Sequence, residues 1–219
     1  MGEVFTVFLG VIFAGTIGLG GAGSEPVALP LLATQILWIN LVTDSGPALA
    51  MGVDPERDDV MARPPRKMTD RILGRRMWTG ILAVGLVMGI ATLLTIDIFL
   101  PDGLVHGSDS LYVARTAGFT TLVFAQLFNA FTSRSDTASA FHRLFANKWL
   151  WGAVLLAAAL QFAVVESPLL QQAFGTASLD AAHWAVCIGI ASTVLWFDEL
   201  RKMFYRSARR NKSAPAPRG

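Results

Sequence analysis

Leu29–Met51 reads LPLLATQILWINLVTDSGPALAM, and the fold turns on how it is read. The stretch is long enough to cross a bilayer, which takes about 20 apolar residues, and its one formal charge is Asp44. A carboxylate at the centre of a membrane helix costs about 2.5–3.5 kcal/mol on insertion scales, so it marks a functional position. In a helix, Asn40, Thr43 and Asp44 stand at i, i+3 and i+4 and share one face. Pro47 follows and brings no N–H to the Thr43 carbonyl, which leaves that oxygen without its helical donor. The pattern predicts a kinked membrane helix with hard oxygen donors at mid-depth, the ligand set of Ca²⁺ or another hard cation. A Pro-kinked helix whose polar groups satisfy one another fits the same residues.

The rest of the chain agrees with a membrane reading. At 219 residues with 53% hydrophobic content and a mean hydropathy of +0.50, it is not a soluble composition. It has room for about six membrane helices. The expected spans are Glu3–Leu19, Leu29–Met51, Trp78–Phe99, Ala114–Phe131, Trp149–Val165 and Ala182–Leu200. The fold class is therefore all-α, a polytopic membrane helix bundle. Residues 1–203 form its transmembrane domain, and 204–219 a basic, disordered tail.

Charge sets the orientation. Of the 18 basic residues, all but Arg115 fall after the second span (Arg57–Arg76), after the fourth (Arg134, Arg143, Lys148), or around and after the sixth (Arg201–Arg218). The positive-inside rule places those loops and the C-terminus in the cytoplasm. An even number of spans puts the N-terminus there too. The basic pI is thereby explained by topology, so the bilayer is the expected partner and nucleic acid is not. The single Cys187 excludes an intrachain disulfide, and His106, His142 and His183 are too scattered to give a zinc spacing.

Further polar residues in apolar surroundings are candidates on weaker grounds. Glu3 lies in the first turn of the first span, where a solvated carboxylate helped by the helix dipole is the plain reading. Gln126 and Asn129 share a face of the fourth span, where interhelical hydrogen bonding is the default and a ligand role the sharper alternative. Gln161 has no polar companion on its own face and reads as packing. Gly80, Gly85 and Gly89 in the third span permit close helix approach. Asp97 is expected to face water at the external end. Asp198, Glu199, Arg201 and Lys202 are expected to pair at the inner end of the last span. The loop Gly52–Met77, with Pro64-Pro65-Arg66, reads as a docking loop.

Gln35-Ile36-Leu37-Trp38-Ile39-Asn40-Leu41-Val42-Thr43-Asp44, followed by Pro47-Ala48-Leu49-Ala50-Met51-Gly52, closely resembles the P-type cation-transporting ATPases. The nearest branch is the calcium pumps of the sarco/endoplasmic reticulum kind and their bacterial relatives. Phe128-Asn129-Ala130-Phe131-Thr132-Ser133-Arg134-Ser135 and Pro64-Pro65-Arg66 fit the same family. The resemblance implies that the spans correspond to helices five to ten of a ten-helix pump, with the second span unwound near Asp44. It further implies that Asn40, Thr43 and Asp44 are ion ligands, and that Glu3 is the fifth-helix carboxylate of the site. Gln126 falls where the reticulum pumps carry a Glu, which removes one negative charge.

The resemblance also implies what lies outside this sequence: the phosphorylation, nucleotide-binding and actuator domains and the first four helices. Ca²⁺ is the expected cargo, while Mg²⁺ and ATP belong to the intact pump only. The expected function is the C-terminal membrane half of a plasma-membrane cation pump, unable to hydrolyse ATP alone. It would be completed by its N-terminal half in the same or another chain. The alternatives are a free-standing cation carrier or channel, or a regulatory membrane module of a full pump.

Overall fold

Small residues and threonines, more than leucines, bring the helices of this protein together. Lipid is as apolar as leucine, so helices in a bilayer associate through close packing and hydrogen bonds rather than hydrophobic exclusion. The computed structural model describes residues 1–20, 28–53, 74–101, 104, 107–134, 145 and 147–213. In it α1 is Gly2–Ile12, α2 is Ala33–Trp38 and a π-helical segment covers Ile39–Asp44. α3 is Ser45–Gly52, α4 is Arg75–Phe99, α5 is Leu111–Thr132, α6 is Lys148–Glu166, α7 is Pro168–Phe174 and α8 is Ala181–Ser213.

Among the described residues, four helices are long and apolar enough to cross a membrane: Met77–Phe99, Leu111–Thr132, Lys148–Glu166 and Ala181–Tyr205. They match the last four expected spans. The first expected span is a shorter helix, α1, that continues as turns toward Gly18. The second is helical without interruption from Ala33 to Gly52, but widened to π geometry in its middle. The protein is a multi-pass, all-helical membrane protein among its described residues.

α5 is the axial helix, buried along most of its length between α4, α8 and the π-widened span. Its sequence explains this. Ala114, Thr116, Ala117, Gly118, Thr120, Thr121 and Ala125 are all buried, and short side chains let neighbours approach. At Gly118 a Cβ would collide with the side chain of Ile96 on α4. Buried hydroxyls need a partner, and for all but Thr121 of the threonines buried along α4 and α5 a hydrogen bond is present, most often to a carbonyl of the same helix. Thr116 donates to the Tyr112 carbonyl at 2.7 Å, Thr92 to Met88 at 2.9 Å and Thr95 to Ala91 at 2.9 Å. The outward faces of α6 and α8 carry exposed Leu155, Leu156, Phe162 and Trp196, which suits lipid.

α1 and α4 meet through glycine. A Cβ on Gly85 would lie 2.9 Å from the Cβ of Met1, and one on Gly89 would lie 2.8 Å from the Cβ of Phe5 and 3.2 Å from its backbone carbon. The expected close approach is therefore used, whereas Gly80 makes room for the Arg201 guanidinium of α8 instead. Gly89→Leu is expected to force the two helices apart, at about 1–3 kcal/mol. Thermal unfolding in detergent checks this, with Ile90→Leu on the exposed side of α4 as the neutral control.

The helix ends are tied across loops. Arg115, the basic residue outside the charge pattern, donates Nε to the Leu29 carbonyl at 3.0 Å. His183 contacts Asp180 and, at 3.2 Å, Asp109, joining the segment before α5 to the start of α8. Hydrogen bonds from the His183 backbone and ring hold the Asp180 carboxyl below the usual carboxylate range. Asp97 departs from expectation: it is 1% exposed and accepts from the Leu104 backbone N–H at 2.7 Å, so it closes the turn after α4 rather than facing water. α7, also unexpected, begins with Pro168 in its first turn and ends at Gly175 with φ 60°.

Toward the C-terminal end of the last span, Asp198, Arg201 and Lys202 pair as expected, but not at a solvated surface. Lys202 is 1% exposed, reaches Asp198 at 2.9 Å, and donates to the Thr132 carbonyl at 2.6 Å in the last turn of α5. α8 then runs on to Ser213, past the expected boundary at residue 203. Lys, Arg, Met and Ala are strong helix formers, so the charged stretch continues the helix. Most of the expected docking loop lies outside the described residues, at 54–73, as do residues 214–219 of the tail.

Candidate cation site

Glu3, Asn40, Thr43 and Gln126 come from α1, the π segment and α5, and they converge into one hydrogen-bonded network. Asn40 donates Nδ2 to Glu3 Oε2 at 2.9 Å, and Gln126 donates Nε2 to Glu3 Oε1 at 3.4 Å. Thr43 stands 2.7 Å from Gln126 Oε1 and 2.6 Å from the Ile39 carbonyl, with its hydroxyl as donor. Glu3 thus sits between two amides, its charge met by N–H groups from both. It is a half-buried member of an interhelical cluster, not the solvated first-turn carboxylate that its place at a helix start suggests.

The local backbone makes the convergence possible. An α-helix would carry its i→i−4 ladder through residues 39–48, but Pro47 cannot donate. The chain responds by widening to π geometry over Ile39–Asp44, and it regains α geometry at Ser45. This differs from the unwound segment that the resemblance implied: the helix is expanded, not broken. π bulges re-aim side chains at functional positions. Here Thr43 is buried against α5, while Asn40 turns to α1 and also donates Nδ2 to the Ile36 carbonyl at 2.9 Å. The Ser45 hydroxyl also donates to the Asn40 carbonyl at 3.2 Å, a further bond where the helix returns to α geometry.

Asp44 is the fifth candidate, and it stands apart. Its side chain is exposed and takes no hydrogen bond from the described residues. It lines a cleft of about 510 Å³ together with Thr43, Gln126 and Asn129, and Asp198 and Arg201 line the same cleft. Asn129 does not join the network, and its Oδ1 accepts from the Thr132 hydroxyl at 3.2 Å.

Among the described residues there is no group of three His, Cys, Asp or Glu side chains placed to hold a metal. The donor set is mixed: two carboxylates, two amides and a hydroxyl, all oxygen-bearing. That composition suits a hard, weakly polarising cation and not a zinc or copper ion. A cation at this position would compete with the amide N–H groups for Glu3.

Known proteins place this geometry in a family. The sequence profile described as "Cation transporting ATPase, C-terminus" matches residues 28–204. The chain is 37% identical over 164 residues to a calcium-transporting ATPase of Bacillus subtilis, covering 75% of the chain and 18% of that protein. It is 37% identical over 179 residues to mouse calcium-transporting ATPase type 2C member 1, covering 81% of the chain and 19% of that protein. Calcium-transporting ATPase 1 of Saccharomyces cerevisiae is 36% identical over 179 residues, 81% of the chain and 18% of that protein. The chain thus spans under a fifth of the length of these curated relatives. The matched length, most of the chain, and the helical bundle that it covers agree: this chain belongs to the family of cation-transporting ATPase C-terminal membrane regions.

Proposed function

We propose that this chain is the C-terminal membrane half of an ATP-driven calcium pump, and that Glu3, Asn40, Thr43, Asp44 and Gln126 supply oxygens to the transported Ca²⁺. The observation that carries this is the convergence of Glu3, Asn40, Thr43 and Gln126 from three separate helical elements onto one point of the π-widened span. The relatives named above are calcium transporters by name, which favours Ca²⁺ over other hard cations. Ca²⁺ takes six to eight oxygens, more than these side chains provide. The remaining ligands come from backbone carbonyls freed near Pro47 and from the N-terminal half of the pump, in the same or another chain. ATP and Mg²⁺ act in that half, and no residue here handles them. Neutral Gln126 lowers the site's negative charge, leaving Glu3 and Asp44 as its two carboxylates.

The pump sits in the plasma membrane, with the C-terminus and the basic loops in the cytoplasm. A change of state driven from the other half alternates access to the site, a population shift between conformations with different Ca²⁺ affinity. The test is radioactive Ca²⁺ uptake into inverted membrane vesicles holding this chain together with a chain that bears the phosphorylation motif. ATP-dependent uptake requiring both is the expected result. Cation flux from this chain alone, with no ATP dependence, would identify a free-standing carrier or channel instead.

A further inference from the structure

The residues that converge on the π-widened span come from α1 and α5, but its ends are held from elsewhere. Gln161, in the middle of α6, is 0% exposed in an otherwise apolar helix. Its Oε1 accepts from the Trp38 indole Nε1 at 3.1 Å, and its Nε2 donates to the Thr120 hydroxyl of α5 at 3.3 Å. Trp38 is the last residue of α2, immediately before the π segment. At the other end of α6, buried Asn147 donates Nδ2 to the Ala50 carbonyl of α3 at 2.8 Å, while its Oδ1 accepts from the Leu150 N–H at 3.0 Å. One helix therefore grips the span on both sides of the stretch that carries Asn40, Thr43 and Asp44.

We propose that Gln161 and Asn147 are positioning residues: α6 clamps the span at Trp38 and at Ala50, and so fixes the π geometry between them. A buried amide in a lipid-facing helix is unfavourable unless its groups are paired. Gln161 pairs both of its groups, one with each of two different elements. Asn147 likewise uses one oxygen to cap its own helix and its nitrogen to reach α3. These two side chains hold the span on either side of the π segment, whose own polar side chains Asn40 and Thr43 bond to α1 and α5 and not to α6. Without the grips, an α-helical ladder could shift along the segment and turn Thr43 away from Gln126. The functional meaning of this clamp rests on the reading of that segment as part of a cation site.

The experiment is hydrogen–deuterium exchange on the full chain in lipid nanodiscs, comparing wild type with Gln161→Leu, Gln161→Glu and Asn147→Leu. Gln161→Glu keeps an acceptor for the Trp38 indole. The indole N–H resonance of Trp38, assigned with Trp38→Phe, reports that bond directly. Gln161→Leu and Asn147→Leu are expected to speed exchange of amides 39–46 about tenfold, with α5 and α8 unchanged. Gln161→Leu moves the Trp38 resonance upfield, and Gln161→Glu restores both signals. Unchanged exchange at 39–46, or an equal rise throughout the chain, overturns the clamp and makes these residues ordinary interhelical packing. Ca²⁺ uptake by the assembled pump is measured separately. If the clamp signals behave as expected but Gln161→Leu leaves Ca²⁺ affinity unchanged, the clamp stands and it is the assignment of the segment to the cation site that fails.

Discussion

Replacing Lys202 by methionine is expected to destabilise the helix bundle by about 3 kcal/mol, at the lower end of the range for breaking a buried ion pair. The ammonium is almost wholly enclosed, and so is its partner, Asp198, at 2% exposure. Removing the lysine strands a buried carboxylate and also leaves the Thr132 carbonyl, in the last turn of α5, without the donor it has at 2.6 Å. Arg201 still bonds Asp198 through Nε at 2.8 Å, which is why the lower end is expected. The double variant Lys202→Met with Asp198→Leu should recover most of the loss, since an apolar pair of similar volume removes the stranded charge. Thermal or denaturant unfolding in detergent, analysed as a double-mutant cycle, measures the coupling. Additive single effects would show that the two side chains are not an energetic unit.

The second large effect is functional. Asp44→Asn is expected to weaken Ca²⁺ activation of ATP-driven uptake on the order of 100-fold, because affinity of oxygen sites tracks their ligand charge. The change is nearly isosteric and keeps one oxygen. In this chain Asp44 takes no hydrogen bond from the described residues, so its loss breaks no network and should leave thermal stability unchanged or slightly raised. That separation of affinity from stability is the diagnostic. Unaltered Ca²⁺ dependence would remove Asp44 from the site.

The helical membrane class was readable from residues, and the same reading singled out the stretch that carries the candidate site. Mean hydropathy, the charge pattern and the isolated polar group Asn40–Asp44 are local signals, and each reports on its own stretch of chain. Pro47 announced a disturbed helix but could not say which kind, because a widened turn and an unwound one both answer a missing donor. Gln161 shows the limit most clearly. Periodicity looks for companions on the same helix face, whereas its partners Trp38 and Thr120 lie on other elements, 123 and 41 residues away. Lys202 and Thr132, 70 residues apart, are invisible for the same reason. Asp97 was misplaced because a carboxylate near a span end is ordinarily solvated, and nothing local reveals that Leu104 folds back onto it.

The glycines of α4 have one more effect. Met1 and Phe5 stand four residues apart on α1, and the gaps that receive them, Gly85 and Gly89, stand four residues apart on α4. Tooth and notch share the same pitch, so α1 is indexed along α4: a shift of one residue would drive Met1 and Phe5 onto side chains where a notch had been. Glu3 rides between those two teeth. Its depth in the bilayer is therefore gauged from α4, not from the thickness of the lipid around it, and a thinner or thicker membrane would tilt the pair without moving the carboxylate along its neighbour.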